Sequence, residues 1–182
     1  PQIGGEPVLR TKMATSYIKR TIRPLYGWTQ STPKSCFLDA AWNRSVPIWP
    51  GMVFTKTSGE NVTLLGSGTG TAANQIPYGF GALYVGGDGI DEPLDAGINT
   101  FSVWVLSPDA EFEILAPAFD TTQTWTDPGD GTEALVYASY TGSNQGKVVP
   151  AGGTNASGQP VARLLKVKST NKITIGGLRQ KY

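Results

Sequence analysis

From residue 45 onward, glycine and proline residues separate short runs of β-branched and aromatic residues. The short spacing between these turn-forming residues constrains the fold more than any other property of the sequence. Short runs of this kind, bounded by turn-forming residues, predict β-strands. The predicted strands are the end of 46–54, then 61–65, 80–85, 101–106, 111–115, 134–140, 147–149, 161–167 and 172–175. Strands that follow one another this closely are typical of a sandwich or a barrel.

The composition supports an all-β fold with a compact body. The 182 residues include 23 glycines and 13 prolines, which is too many for a helical bundle and too few for a disordered low-complexity chain. The run 111–115 alternates polar and apolar residues, as expected of a strand with one buried face.

Residues 1–34 lack a clean strand or helix period, and several prolines and glycines interrupt them. Within this segment, residues 16–23 combine β-forming and basic side chains. We predict an extended N-terminal arm over 1–34 that becomes a strand when it meets a sheet edge, and a β-rich body over 35–182. The alternative is a solvated tail without a partner.

The charges of the chain fall into three zones. Residues 1–34 carry six bases against one acid, residues 35–146 carry two bases against thirteen carboxylates, and residues 147–182 carry seven bases and no acid. Such asymmetry predicts interaction through the ends, with an acidic protein surface favoured over nucleic acid because the central zone repels phosphates. Alternatively, the basic ends pack on the acidic middle of the same or a neighbouring subunit.

The sequence lacks a residue type on which two common catalytic sites depend. The sequence contains no histidine, which excludes a Ser-His-Asp triad and a His-ligated zinc ion. The lone Cys36 is predicted to be a buried packing residue. The glycines of 66–70 lack the lysine of a phosphate-binding loop, and the acidic loop 88–95 does not match a calcium-binding pattern. We predict no enzyme, no cofactor and no metal site.

Two other functional classes remain open at this point. The five tryptophans could form a sugar-stacking platform, as in a carbohydrate-binding β-sandwich of a surface structure, although aromatic residues in strands are more often core or interface. The central carboxylates could include the catalytic pair of a hydrolase.

The sequence also bears on the compartment. No apolar run reaches the length of a membrane span, and no signal peptide precedes the first predicted strand. We therefore expect synthesis in the host cytoplasm, without membrane insertion.

Several segments of the chain resemble a known family. Residues 48–53, 77–92, 103–119, 162–167 and 173–178 are similar to head decoration (capsid cement) proteins of tailed phages that infect actinobacteria, and more distantly to lambda-type head decoration proteins. This resemblance covers residues 45–180. The chain departs from the family in its longer basic arm and in the loop around residues 66–74.

The resemblance implies a β-barrel or β-tulip-like body, a homotrimer, and an arm that adds a strand to the major capsid protein on the outer surface of the virion. Such a protein binds the expanded head and stabilises its lattice. The arm residues that would contact the capsid are Arg10, Lys12, Tyr17, Ile18, Lys19, Arg20, Ile22 and Arg23.

Overall fold

The computed structural model describes residues 21–39, 46–66, 74–82 and 100–179, and the following account concerns these residues alone. They form eleven strands: β1 (Ile22–Tyr26), β2 (Thr32–Leu38), β3 (Val53–Ser58), β4 (Asn61–Leu64), β5 (Pro77–Gly81), β6 (Thr100–Val105), β7 (Glu111–Leu115), β8 (Ala134–Ala138), β9 (Val148–Pro150), β10 (Ala162–Ser169) and β11 (Lys172–Gly176). Two single turns of 3-10 helix cover Trp28–Gln30 and Gly142–Asn144.

Five strands close into a barrel in the order β2-β4-β3-β5-β6. All neighbours in the barrel are antiparallel except β2 and β4, which run parallel over only two residue pairs. This short contact closes the barrel at the end of β2, where the amide of Phe37 donates to the carbonyl of Glu60 at 3.1 Å.

The other six strands form an antiparallel sheet in the order β1-β7-β11-β10-β8-β9. Successive side chains of a strand point to opposite faces, so the register divides the sheet into a core side and an outer side. On the core side, Ile22, Ile114 and Ile173 are adjacent across three strands, and all are buried. The outer side carries the polar residues of the same strands.

The barrel and the sheet share one hydrophobic core. Trp104 of β6 packs on Phe112 of β7 with ring centroids 5.8 Å apart, which joins the two parts directly. The hydroxyl of Thr21 donates to the carbonyl of Pro50 at 2.6 Å, so the start of β1 is also attached to the barrel side. Because neither part encloses its apolar face alone, the described residues behave as one packed unit.

The structure confirms the predicted all-β fold with a barrel. Most predicted strands are present within a few residues of their expected limits, whereas β5 begins at Pro77 and ends at Gly81, earlier than the predicted 80–85. Cys36 is buried, as predicted. Among the described residues, no helix has the length and hydrophobicity to cross a membrane.

The strand β1 and the first three residues of β2 lie within residues 1–34, the segment predicted to be an arm. β1 belongs to the six-stranded sheet, and β2 begins at Thr32 and belongs to the barrel, so the expected boundary at residue 35 falls inside β2. The physical reason is apolar burial: Ile22 is 1% exposed, and its neighbour in the register is the core residue Ile114. Residues 1–20 lie outside the described part.

Candidate docking surface

Of the eight residues predicted to contact the capsid, two fall in the described part. Ile22 lies in the core, where its side chain holds β1 in place and is unavailable to a partner. Arg23 lies on the outer side of the sheet, and 41% of its side chain is exposed. The other six lie outside the described residues: Arg10, Lys12, Tyr17, Ile18, Lys19 and Arg20.

The outer side of the sheet is organised in rows that run across the strands. One row consists of Arg23 on β1, Glu113 on β7, Thr174 on β11 and Lys166 on β10, each facing the next in the register. Side chains that face each other in this way lie close enough to interact. The row therefore has a base at each end and a carboxylate and a hydroxyl group between them.

Glu113 is the centre of a cluster of bases. It is 4% exposed, and its carboxylate is 3.5 Å from Arg23, 3.2 Å from Lys168 and 3.7 Å from Lys172. A buried carboxylate needs such partners because an uncompensated charge is costly in the protein interior. Three bases around one acid leave this part of the surface with a positive excess.

The second row contains Tyr26, Glu111, Gly176, Arg163 and Leu135. A side chain at Gly176 would overlap the guanidinium group of Arg163, so glycine leaves room for this arginine to lie across the sheet. The absence of a Cβ atom thus determines where the charge is held.

Arg163 is held by three groups from different segments. It is 5% exposed and donates to the carbonyl of Gly177 at 2.5 Å, to the carbonyl of Pro108 at 2.7 Å and to the carboxylate of Glu133. Arg179 approaches the same carboxylate at 3.4 Å. Glu133, like Glu113, is thus shared by more than one base.

A continuous groove, called here the sheet groove, follows these rows. Two depressions form it, and they have Glu111, Glu133, Leu165 and Arg179 in common. One end lies beside Tyr26 and Asp109, and the other is lined by Lys166, Lys168 and Thr174. Its polar lining suits a charged segment of another chain better than an apolar small molecule.

Some bases of the two ends pair with carboxylates of the acidic middle of the same chain, and this does not exclude a partner protein. Arg23 from the N-terminal zone and Lys168 and Lys172 from the C-terminal zone all pair with Glu113 from the acidic middle of the same chain. Lys166 also approaches Asp130, at 3.6 Å. Intrachain complementarity therefore accounts for part of the charge asymmetry, although the bases outnumber the carboxylates that they contact.

The sequence indicated the elements of this surface but not its pairings. The alternation of residues 111–115 predicts outward glutamates, and the basic C-terminal zone predicts cations on nearby strands. The bulge between Leu164 and Lys166 keeps Arg163 and Lys166 on one side of the sheet, and no residue type signals that bulge.

The described tryptophans do not form a sugar-stacking platform. Trp49, Trp104 and Trp125 are partly buried against the core. Trp28 is 42% exposed and packs edge-on against Trp104, with centroids 6.3 Å apart. Trp42 lies outside the described residues. The carbohydrate-binding alternative therefore gains no support from this arrangement.

The carboxylates and the cysteine of the described residues are spread over the surface and the core rather than gathered in one place. In the part of the chain that the structure describes, no three histidine, cysteine or carboxylate residues are grouped to hold a metal ion. The acidic loop 88–95 lies outside that part. The carboxylate of Asp127 accepts from the amides of Gly129 and Val167, both at 2.9 Å, which is a turn-stabilising role.

Comparison with known proteins identifies one matching family and no matching curated protein. The sequence pattern of the phage cement protein family matches residues 8–182, which is nearly the whole chain. The match spans the segment before β1, the barrel and the six-stranded sheet together. On this basis the chain belongs to the phage cement protein family.

Proposed function

We propose that the protein decorates the outer surface of an expanded phage head, where it binds the major capsid protein and stabilises the shell without catalysing a reaction. The observation that carries this proposal is the family match over residues 8–182. The positive excess on the outer side of the sheet supports it, because an acidic shell would attract that surface.

The stabilising effect follows from mass action. A protein that binds only the expanded lattice lowers the free energy of that lattice and not of its alternatives. As a homotrimer, it would present three identical docking segments, and each contact after the first would form at a raised effective concentration. Individually weak contacts then suffice to hold the coat.

The proposed docking segment precedes β1. It contains Arg10, Lys12, Tyr17, Ile18, Lys19 and Arg20, and it continues into the partly exposed Arg23. Its bases can form charge-assisted hydrogen bonds with carboxylates of the shell, and its β-forming residues can pair with a strand edge. Ile22 anchors this segment to the body through the core.

The place at which to truncate the chain follows from the fold. Removing residues 1–34 would delete β1 and the first half of β2, which would expose the apolar side of the sheet. A chain beginning at Thr21 keeps both strands and the bond from Thr21 to Pro50. The informative variant is therefore residues 21–182.

The test mixes purified expanded heads with the full chain or with residues 21–182 at physiological salt. We expect the full chain to form ordered surface density by electron microscopy, and the truncated chain to stay folded by circular dichroism but to lose most of its binding. A matched variant, with Arg10, Lys12, Lys19 and Arg20 replaced by glutamine, separates charge from strand pairing.

Two results would count against the proposal. If the full chain leaves mature heads bare, the decoration function is wrong. If residues 21–182 bind as well as the full chain, the decoration function stands and the role of the N-terminal segment is wrong.

A further inference from the structure

The Lys166 end of the sheet groove contains a hydroxyl group without a hydrogen-bond partner. Thr174 is 5% exposed, and its Oγ1 atom is buried and unpaired. The same residue lines the groove beside Lys166, Lys168 and Arg179. We propose that this end of the sheet groove binds an acidic peptide segment of the shell protein, with one carboxylate over Thr174; this inference rests on the proposed decoration function.

The first argument is the cost of the unpaired hydroxyl. A buried polar group without a partner destabilises the fold relative to one that is paired. In the register, Thr174 lies between Glu113 and Lys166. The carboxylate of Glu113 faces three bases, of which Lys168 is nearest at 3.2 Å, and it accepts no hydrogen bond from Thr174. An ammonium group has no lone pair to accept one. An acceptor from another molecule would complete the site.

The second argument is the availability of the surrounding bases. The side chain of Lys166 is 56% exposed, and its contact, Asp130, is fully exposed at 3.6 Å, so this pair is weak. The side chain of Arg179 is 63% exposed, and it shares Glu133 with the better-placed Arg163. Both bases can turn toward an incoming carboxylate and lose only a weak ion pair each.

Access to the hydroxyl requires a movement of side chains. Its oxygen is shielded from solvent, so a ligand atom reaches it only when a neighbouring side chain moves. Lys166, Lys168 and Arg179 line this end of the groove and are long and flexible. A ligand that pairs with them draws them away from the floor of the groove and opens the path.

The chemistry of the groove favours a peptide over a nucleic acid. Glu111 and Glu133 line the same groove. Glu113, on β7, is the register partner of Thr174. A nucleic acid places a charge at every nucleotide and would bring phosphates against these carboxylates. An extended peptide can space its carboxylates at alternate residues, about 7 Å apart, and so avoid them.

The test is an NMR titration of the full chain with a synthetic pentapeptide that carries glutamate at alternate positions. The glutamine version of the peptide and an eight-nucleotide single-stranded DNA serve as comparison ligands. We expect the acidic peptide to shift the signals of Thr174 and Leu165, and the other two ligands to leave them unchanged. Stronger binding of the DNA, or shifts confined to the barrel, would overturn the inference.

Three variants identify the groups that bind. Lys166→Gln and Thr174→Val should each weaken the peptide about tenfold in Kd. Lys34→Gln, an exposed base on β2 of the barrel, is the matched control and should leave binding unchanged. Thr174→Val should not lower the melting temperature, since its hydroxyl has no partner in the folded protein. Equal weakening by Lys34→Gln, or a loss of stability in Thr174→Val, contradicts the site.

The same variants on expanded heads separate this inference from the proposed function. If the unaltered protein fails to bind heads, the decoration function is wrong. If it binds heads and the Lys166→Gln and Thr174→Val proteins bind equally well, the decoration function stands and the groove is not the peptide site.

Discussion

At the scale of single residues, Arg163 joins three separate segments of the chain. It lies on β10, and its guanidinium group reaches the carbonyls of Pro108 and Gly177 and the carboxylate of Glu133. Because the guanidinium fork presents five donors in a fixed geometry, lysine cannot reproduce this set of contacts.

Replacing Arg163 with methionine should therefore destabilise the protein. The change removes the donor to the buried carbonyl of Gly177 and to the carbonyl of Pro108, and it leaves Glu133 with Arg179 alone. We expect a loss of about 1–3 kcal/mol in the free energy of unfolding. Urea denaturation followed by circular dichroism measures this. Arg179→Met is the matched control, because its pair with Glu133 is exposed and should contribute less than about 1 kcal/mol. Similar losses in the two variants would contradict the central role of Arg163.

Asp120 makes stability depend on acidity. Burial alone raises the pKa of its carboxyl group, but hydrogen bonds from the hydroxyl and amide of Thr122 and from Gln123, with the charge of Lys147, outweigh burial and lower the pKa below its ordinary 3.8. Such a carboxylate stabilises the fold above pH 3.8, and its contribution is lost as the pH falls from there through the lowered pKa.

The variant Asp120→Asn tests this contribution. At pH 7 it should be less stable than the unaltered protein, because an amide group replaces one of the oxygens that accept from Thr122, Gln123 and Asn144. The difference in the free energy of unfolding should shrink as the pH is lowered below 3.8. Denaturant titrations from pH 7 to pH 2 measure it, and a constant difference would refute the assignment.

Sequence reasoning was reliable for residues whose role follows from their type. Cys36 was predicted to be buried because the chain contains no histidine that could activate its thiol, and it is buried. The partners of Glu113 could not be predicted, because they come from β1 and from the two sides of the turn that joins β10 and β11. Which base meets which acid depends on strand order, and strand order is not a local property.

At the scale of elements, two prolines lie on strand edges. The carbonyl of Thr21 accepts from Leu115 on β7, so the backbone groups of Pro24, three residues on, face away from β7. The amide of Phe37 points toward β4, so the backbone of Pro33 faces away from β6. In both places proline removes a donor that a second strand would otherwise use.

Restoring the donor at Pro33 should promote self-association. In Pro33→Thr the strand edge gains an outward amide beside Ser35, whose backbone points the same way, and threonine favours strands. We expect the variant to form larger species at high protein concentration while the unaltered protein keeps its size, as measured by sedimentation velocity. Thr32→Val is a control on the same strand whose backbone faces β6. If the Pro33→Thr protein keeps the size of the unaltered protein, the missing amide donor at residue 33 is not what prevents self-association.

The strands that sequence reasoning found and the strands that it missed differ for a physical reason. The segments 111–115 and 172–175 have clear apolar and polar alternation and no proline. β1 has the sequence Ile-Arg-Pro-Leu-Tyr, in which only Ile22 and Pro24 indicate an edge strand, and the surrounding bases led to the prediction of an extended arm. Burial of Ile22 in the core, which the local sequence does not indicate, holds this segment as a strand of the sheet.

At the scale of the whole molecule, the shared core makes the barrel and the sheet interdependent. Phe112 is fully buried on β7 and contacts Trp104 of the barrel. We expect Phe112→Ala to lower the free energy of unfolding by about 3–5 kcal/mol, since it creates a cavity between the two parts.

Tryptophan fluorescence and far-ultraviolet circular dichroism should report one common transition, both in this variant and in the unaltered protein. Two separate transitions, with fluorescence preceding the loss of strand signal, would mean that the barrel and the sheet unfold independently.

The junction at Thr21 also determines how the protein would respond to mechanical load. A coat protein held by its N-terminal segment transmits any tension through Thr21 into β1, an edge strand that pairs only with β7 among the described residues. A pull along the axis of β1 is shared by all the hydrogen bonds of that pair, whereas a pull across the sheet breaks them one after another. If the segment before β1 holds the protein on the shell, as proposed, the direction in which it leaves Thr21 sets the force that the attachment withstands.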